Sequence, residues 1–428
     1  RNGYPFQKLN ERRYIMDYKH TLDYLGNQVE SPQDIIPKGI RRCDDPLLCI
    51  PRDLALHWGP LYKSNHYGEW HYFSMIGKEE NGDDFSLFYV VRSTGWCEQI
   101  HRPGFYTLFG YANLTKKKYY KNFAVHMGEV ISDGDLESTD DKFFFKYGVG
   151  QPADKGDWFS MEYAHKDMCW KMQSQCHGDD KGNVPFAING TAKVLAPGYV
   201  PASYCGFELG GYDGNARYNP ATAYGITYYI IAPRCEWNVD VFVDGEVHHL
   251  KGTAWYEQQY GNCMTKDNFF THYVYGHCRL KNGDLFTYRQ NYGWTNGRFS
   301  DPKRDINRWM YLARQGGMDV RLGKDAFSYE IIETWESPQT GLVFPVKFLM
   351  DTPIGRLWVN VKGFYGQELQ LHIGSMYEVP LEFRKNGPEG EVIGEGFGEA
   401  MSLVAFAENS PLTSLANQPD QGYTQPGW

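Results

Sequence analysis

From residue 51 onwards, short runs of alternating hydrophobic and polar positions are separated by turn dipeptides. His71 to Ile76 and Phe85 to Val91 flank Asn81-Gly82, and Thr271 to Leu280 and Leu285 to Tyr292 flank Asn282-Gly283. Val239, Val241 and Val243 lead into Asp244-Gly245, and Asn386-Gly387 follows another such run. A period of two around Asn-Gly or Asp-Gly predicts β-hairpins, because these dipeptides adopt the positive-φ turns that match strand twist. No helical pattern of roughly 10 to 15 residues recurs between the runs, which excludes a βαβ architecture and favours antiparallel sandwiches or barrels. The fold class predicted is mostly β.

The flanks read differently. Ile15, Tyr18, Leu22 and Leu25 follow a 3-4-3 spacing ahead of Gly26, which predicts one amphipathic helix. Pro32, Pro37, Pro46 and Pro51 then punctuate an extended arm, so residues 1–50 form a helix and arm ahead of the β region. A domain boundary is expected near Gly245 to Lys251, giving β domains over 51–247 and 248–428. Asp133 to Asp141 and Lys166 to Asn183 read as long loops, and Asn409 to Trp428 as an irregular tail.

Composition sharpens this picture. The 428 residues include 32 Tyr, 25 Phe, 12 Trp and 46 Gly, a mixture suited to pleated, half-buried surfaces joined by tight turns. The formal charge of −9 offers no broad basic surface for a phosphate backbone, so nucleic acid is excluded as the main partner. Ala223 to Ala232, the longest apolar stretch, is too short to cross a bilayer as a helix and reads as a buried strand. Nine cysteines are too sparse for a disulfide scaffold, and the oligomeric state is left open. The sequons Asn113-Leu114-Thr115 and Asn189-Gly190-Thr191, with a first residue other than Met, favour a secreted or periplasmic location over a cytoplasmic one.

Phosphate loops, dinucleotide fingerprints and nucleophile elbows are missing, and Gly394-Glu395-Gly396 lies between β-like runs, the wrong setting for a dinucleotide turn. Cys263, His272, His277 and Cys278 are close in sequence but lack CxxC or HExxH spacing, so neither a metal nor another cofactor is expected. Two segments carry candidate chemistry. In Gly252 to Gly261 a strand puts Trp255 and Glu257 on one face and Tyr256 and Tyr260 on the other. Against an exposed, solvated glutamate stands the alternative that this face lines a cavity, where burial would raise the Glu257 carboxyl and let it donate a proton. In Gly68 to Phe73, Glu69 and His71 share a face and could activate water, while Trp70 and Tyr72 share the other; a structural Glu–His hydrogen bond is the plainer reading.

These segments resemble a known family. Gly252-x-Ala254-Trp255-x-Glu257-x-x-Tyr260-Gly261 is similar to the G-x-[AG]-[WY]-x-D-x-x-W-G segment of the carotenoid hydratase, kievitone hydratase and AttH-like group, and Glu69 to Phe73 resembles its E-W-W-Y-F segment. Trp335-Glu336-Ser337-Pro338, Thr340-Gly341 and Phe344 to Phe348 resemble its W-x-S-P-x-T-G-x-x-Y-P-x-x-W run. Tyr377-Glu378 and Gly394-x-Gly396-x-x-Glu399 resemble its closing strands. The matches keep their order from 69 to 399; Glu257 stands for the usual Asp, Tyr260 and His71 for Trp, Phe344 for Tyr and Phe348 for Trp.

The resemblance implies two lipocalin-like antiparallel β-barrel or sandwich domains and a cofactor-independent hydratase, dehydratase or isomerase. Its substrate would be a small hydrophobic terpenoid or prenyl alkene or alcohol, held in or between the domains. Glu257 is then expected to be the general acid, with Glu69 and His71 to handle water, Glu399 as a further carboxyl, and Trp70, Tyr72, Trp255, Tyr256 and Tyr260 to shape the pocket. A polyene cyclase or pericyclase is the alternative within catalysis, and a non-catalytic carrier of an apolar ligand the alternative outside it.

Overall fold

The computed structural model describes residues 67–97, 102–126, 136–138, 142–148, 157–195 apart from 165 and 181, 207–209, 212–213, 217–218, 226–262, 272–292, 305–315, 320–322, 327–370 and 375–402. The expected helix and arm over 1–50 and the tail from 409 lie outside these residues. Among the described residues every regular element is a strand, and no helix is long and apolar enough to cross a membrane.

In chain order the strands are β1 (Tyr67–Lys78), β2 (Asp84–Cys97), β3 (Arg102–Asn113), β4 (Lys118–His126), β5 (Leu136–Ser138), β6 (Lys142–Gly148), β7 (Trp158–Ala164) and β8 (Cys169–Cys176). There follow β9 (Phe186–Val194), β10 (Phe207–Leu209), β11 (Tyr212–Asp213), β12 (Arg217–Tyr218), β13 (Ile226–Val243) and β14 (Glu246–Asn262). The remainder are β15 (His272–Leu280), β16 (Leu285–Tyr292), β17 (Asp305–Ala313), β18 (Val320–Leu322), β19 (Ser328–Glu336), β20 (Val343–Thr352), β21 (Gly355–Val361), β22 (Glu368–Gln370), β23 (Ser375–Lys385) and β24 (Val392–Ser402).

Two large antiparallel sheets result. The first has 12 strands in the order β4-β3-β2-β1-β14-β13-β9-β8-β7-β6-β5 with β10 beside β13; the second has 10 in the order β18-β17-β16-β15-β24-β23-β21-β20-β19 with β22 beside β23. Hairpins join sequence neighbours as the alternation predicts, and Asp244-Gly245 takes φ values of 54° and 81°, the left-handed conformation such a two-residue turn requires. The chain leaves the first sheet only after β14, later than the expected break at 245–251, because the strand following that turn continues the first sheet and pairs with both β13 and β1.

Each sheet curls over its own apolar face. In the first, Phe109 of β3 stacks on Phe186 of β9 with ring centroids 4.2 Å apart, although four strands separate them along the sheet. In the second, Tyr288 of β16 meets Phe348 of β20 at 6.3 Å. A third apolar layer, including Tyr72, Val90, Ile231, Trp255, Tyr275, Met376 and Phe397, lies where the outer faces of the two sheets meet. Strands at that contact are buried on both faces, so β1, β14 and β23 carry nearly continuous buried runs, with polar residues such as Ser74, Glu257, Gln258 and Glu378 among the apolar ones.

Two expected loops contain strands. Within Lys166 to Asn183, β8 alternates buried Trp170, Met172, Ser174 and Cys176 with polar neighbours, whose charge hides the period of two in a composition reading. Within Asp133 to Asp141 lies the short β5. Cys169, Cys176, Cys235 and Cys278 are free thiols. Of the two sequons, Asn189 is exposed, whereas Asn113 is buried and its amide donates to Glu79 and Asp83 at 3.1 and 2.9 Å, so only Asn189 offers a free amide to a sugar.

Candidate active site

Strand alternation carries every polar group of the site to the layer between the sheets. On β14, Ala254 and Tyr256 point into the first core, so Trp255 and Glu257 point out of it, towards the second sheet. Tyr72 of β1 stands beside Glu257 in register, and Ile231 of β13 stands on the other side. On the second sheet Tyr275, Glu399 and Glu378 are successive partners across β15, β24 and β23. The two rows meet face to face. Tyr72 donates its hydroxyl to Glu378 Oε2 across the gap at 3.1 Å, and the Tyr275 hydroxyl donates back to Glu257 Oε1. Glu257 Oε1 also accepts the indole N–H of Trp255.

Three carboxyl groups therefore share one buried layer. Glu257 and Glu378 are buried; Glu399 is half-buried by area yet lies deep enough among protein atoms for desolvation to govern it. Burial, then the charge of Glu257, pushes Glu399 up to about 8. Burial also holds Glu378 well above the carboxylate range, the Tyr72 hydrogen bond opposes this, and the charge of Glu257 adds to it. Tyr72 is raised by burial and then by Glu378, Glu399 and Glu257, so one hydroxyl senses all three carboxyls. At neutral pH the cluster holds a proton on Glu399, burial favours the neutral form of Glu378, and Glu257 accepts two donors. Glu378 Oε1 is buried without a hydrogen-bond partner among the described residues, which leaves it available to a guest hydroxyl.

An aromatic wall separates this cluster from a cleft. Trp255 and His277 stack flat, 3.9 Å apart with planes inclined by 2°, and His277 Nε2 is hydrogen-bonded to Ser74 Oγ of the other sheet at 3.2 Å. Burial and then Arg279 lower His277 well below the usual imidazole value, keeping the ring neutral. Beyond this pair lies a cleft of about 660 Å³ between the sheets, lined by Trp255, His277, Phe397, Leu285 and Arg279 among others. Trp255 and Phe397, which line the cleft, stand two residues before Glu257 and Glu399 on the same strand faces, so two of its walls belong to the strands that carry these carboxyls.

The sequence-predicted residues divide into three groups. Glu257, Glu399, Tyr72 and Trp255 come together between the sheets, and Trp70, half-buried on the same face, stacks under the Arg92 guanidinium at 4.8 Å. His71 and Tyr256 do not join them: odd-numbered positions of β1 and even-numbered positions of β14 face the first core, where Tyr256 OH and His71 Nδ1 are 3.0 Å apart and Trp170 packs beside them. Glu69 and Tyr260 are paired on β1 and β14, and their side chains lie outside the described residues. His277 and Cys278, weighed as metal ligands, point to opposite sides of β15, and no group of three His, Cys, Asp or Glu among the described residues could hold a metal. Sequence reasoning gave no role to Glu378, Tyr275 or His277. A signal for the first was present: Met376 to Leu381 is apolar at every position but Glu378, a setting that favours a buried carboxyl there.

No protein-family model and no curated protein sequence matches the chain. Solved structures do. An AttH protein from Nitrosomonas europaea superposes with a TM-score of 0.59 at 15% identity, over 81% of this chain and 97% of that one. The chain has the double lipocalin-like fold of that group. Kievitone hydratase from Nectria haematococca superposes with a TM-score of 0.52 at 16% identity, over 78% of this chain and 89% of that one. At these identities the likeness is one of fold, and the AttH-like and kievitone hydratase architecture agrees with the order of motifs between Glu69 and Glu399.

Proposed function

We propose that the chain is an acid–base enzyme that adds water to, removes it from, or isomerises a small hydrophobic alkene or alcohol bound between the two sheets. The observation that carries this reading is the layer of three carboxyls facing one another across an aromatic contact, with Glu399 raised to about 8 and Glu378 pushed upward by burial. The kievitone hydratase fold likeness makes hydration the first chemistry to test.

In the hydration direction the Glu399 carboxyl gives its proton to one alkene carbon, the π pair forms the new C–H bond, and the neighbouring carbon becomes cationic. Aromatic faces such as those of Trp255 and Tyr72 stabilise that cation by about 0.5 to 2 kcal/mol each. Water attacks the cation, and the proton it sheds passes to the Glu257 carboxylate; transfer from Glu257 back to Glu399 resets the site. Dehydration runs the same steps in reverse. Glu399 suits the acid's part better than Glu257, the residue expected from sequence, because a group at about 8 is protonated yet ready to release its proton near neutral pH, whereas Glu257 accepts from both Trp255 and Tyr275. Glu378 Oε1 would orient the hydroxyl. These steps use side chains alone.

The test is turnover of a panel of linear and cyclic terpene alkenes and alcohols in ¹⁸O-labelled water, followed by gas chromatography and mass spectrometry. Label should enter the product, and Glu399→Gln should cut kcat by about 100- to 10,000-fold with little change in KM. Binding without product would establish a carrier instead. Turnover that survives Glu399→Gln and Glu257→Gln would point to a cyclase that acts by shape.

A further inference from the structure

The cleft outside the Trp255–His277 wall carries charge that the proposed hydration chemistry does not use. Arg279 of β15 lines it, and its Nη2 donates to the Pro233 carbonyl of β13 at 3.1 Å. Arg234, on the other sheet, donates its Nη2 to the Gly283 carbonyl at 3.1 Å, which brings a second guanidinium to the cleft's rim, since Gly283 is part of the lining. Each guanidinium has five N–H donors, and each spends one of them on a backbone carbonyl.

Neither arginine has a carboxylate partner among the described residues. The cross-strand neighbour of Arg279 is Glu395, and that carboxylate, also in the lining, is held instead by Lys362 at 3.0 Å. Lys281 adds a third cation to the lining, and His277 is neutral. Burial and then the charge of Arg234 both press on the Arg279 guanidinium, so the two cations sense each other in a half-buried place. Holding like charges together there costs free energy that an anion would offset. Phe397, Trp255 and Leu285 give the inner part of the same cleft an apolar wall.

We infer that this cleft binds the anionic head of an amphiphile, a carboxylate or a phosphate held by Arg279 and Arg234, with its hydrocarbon part running inward along Trp255 and Phe397 towards the carboxyl cluster. The inference rests on the proposed function for the apolar guest and adds its polar end. It narrows the substrate class from neutral terpenoids to acids or phosphate esters of an alkenyl chain. Bidentate pairing to a planar fork is the contact that makes arginine suited to either head.

Isothermal titration calorimetry of the full chain with dodecanoate, dodecyl phosphate and dodecanol, each below its aggregation concentration, tests this without requiring turnover. At least one anionic probe should bind about tenfold or more tightly than dodecanol, and the tighter of the two identifies the head. Arg279→Gln should erase that preference, Arg279→Lys should keep part of it, and Glu399→Gln should leave it unchanged. Equal binding of all three probes would overturn the anionic head while sparing the apolar guest. A preference that persists in both Arg279→Gln and Arg234→Gln, with only Tm lowered, would make the arginines staples between the sheets and overturn the inference. If no probe binds, the apolar-guest reading fails with it.

Discussion

Glu399 shows how far a single residue's chemistry depends on where its strand puts it. In the unfolded chain its carboxyl ionises near the ordinary value of 4.5, and in the fold, under burial and the charge of Glu257, near about 8. A raised carboxyl favours the folded state below the unfolded value and loses that advantage as pH climbs through the folded one. Thermal melts should therefore show wild-type Tm falling between about pH 5 and pH 8 more steeply than that of Glu399→Gln, which has no proton to lose; parallel curves would contradict the shift. Catalysis follows the same sign. A rate that depends on protonated Glu399 should decline above about pH 8, and a rate still rising there would assign the acid's part to another group.

At the scale of elements, β24 accounts for a motif that the sequence shows without explaining. A Cβ on Gly396 would lie 1.7 Å from the His277 carbonyl oxygen and one on Gly394 2.6 Å from that of Arg279, so these positions admit the close approach of β24 to β15 that sets Glu399 beside Tyr275. Gly396→Ala should destabilise by about 1 to 3 kcal/mol, whereas Gly387→Ala, with open space at its Cβ, should stay within about 0.5 kcal/mol; denaturant melts that fail to separate the two would refute the packing argument. Much of this level was legible in the sequence, because a period of two reports strands and Asn-Gly or Asp-Gly reports their turns. The pairing of Trp255 with Glu257 on one face was legible for the same reason. Which sheet face meets what was not: His71 and Tyr256 alternate as regularly as Tyr72 and Trp255, and only the contact between sheets makes one set line the site and sends the other into the first core. Glu378 escaped for a related reason, since Tyr72, its hydrogen-bond partner across the gap, lies 306 positions away in sequence.

The whole molecule places the site where neither sheet alone would build it. Tyr72 with Glu378, Ser74 with His277 and Tyr275 with Glu257 each join one sheet to the other through side chains that sit in the shared layer. Separating the sheets would expose that apolar layer and strip three carboxyls of their surroundings, so the described halves should unfold together. Scanning calorimetry should give one transition whose calorimetric and van't Hoff enthalpies agree, and two resolved transitions would show the sheets to be independent. The central claim is that burial between the sheets keeps a carboxyl protonated at neutral pH. Carbon-13 NMR of glutamate-labelled protein, with Glu399→Gln to assign the signal, measures it directly. The account predicts a side-chain carboxyl titrating near 8 that vanishes in the variant, and a Glu399 midpoint near 4.5 would contradict it.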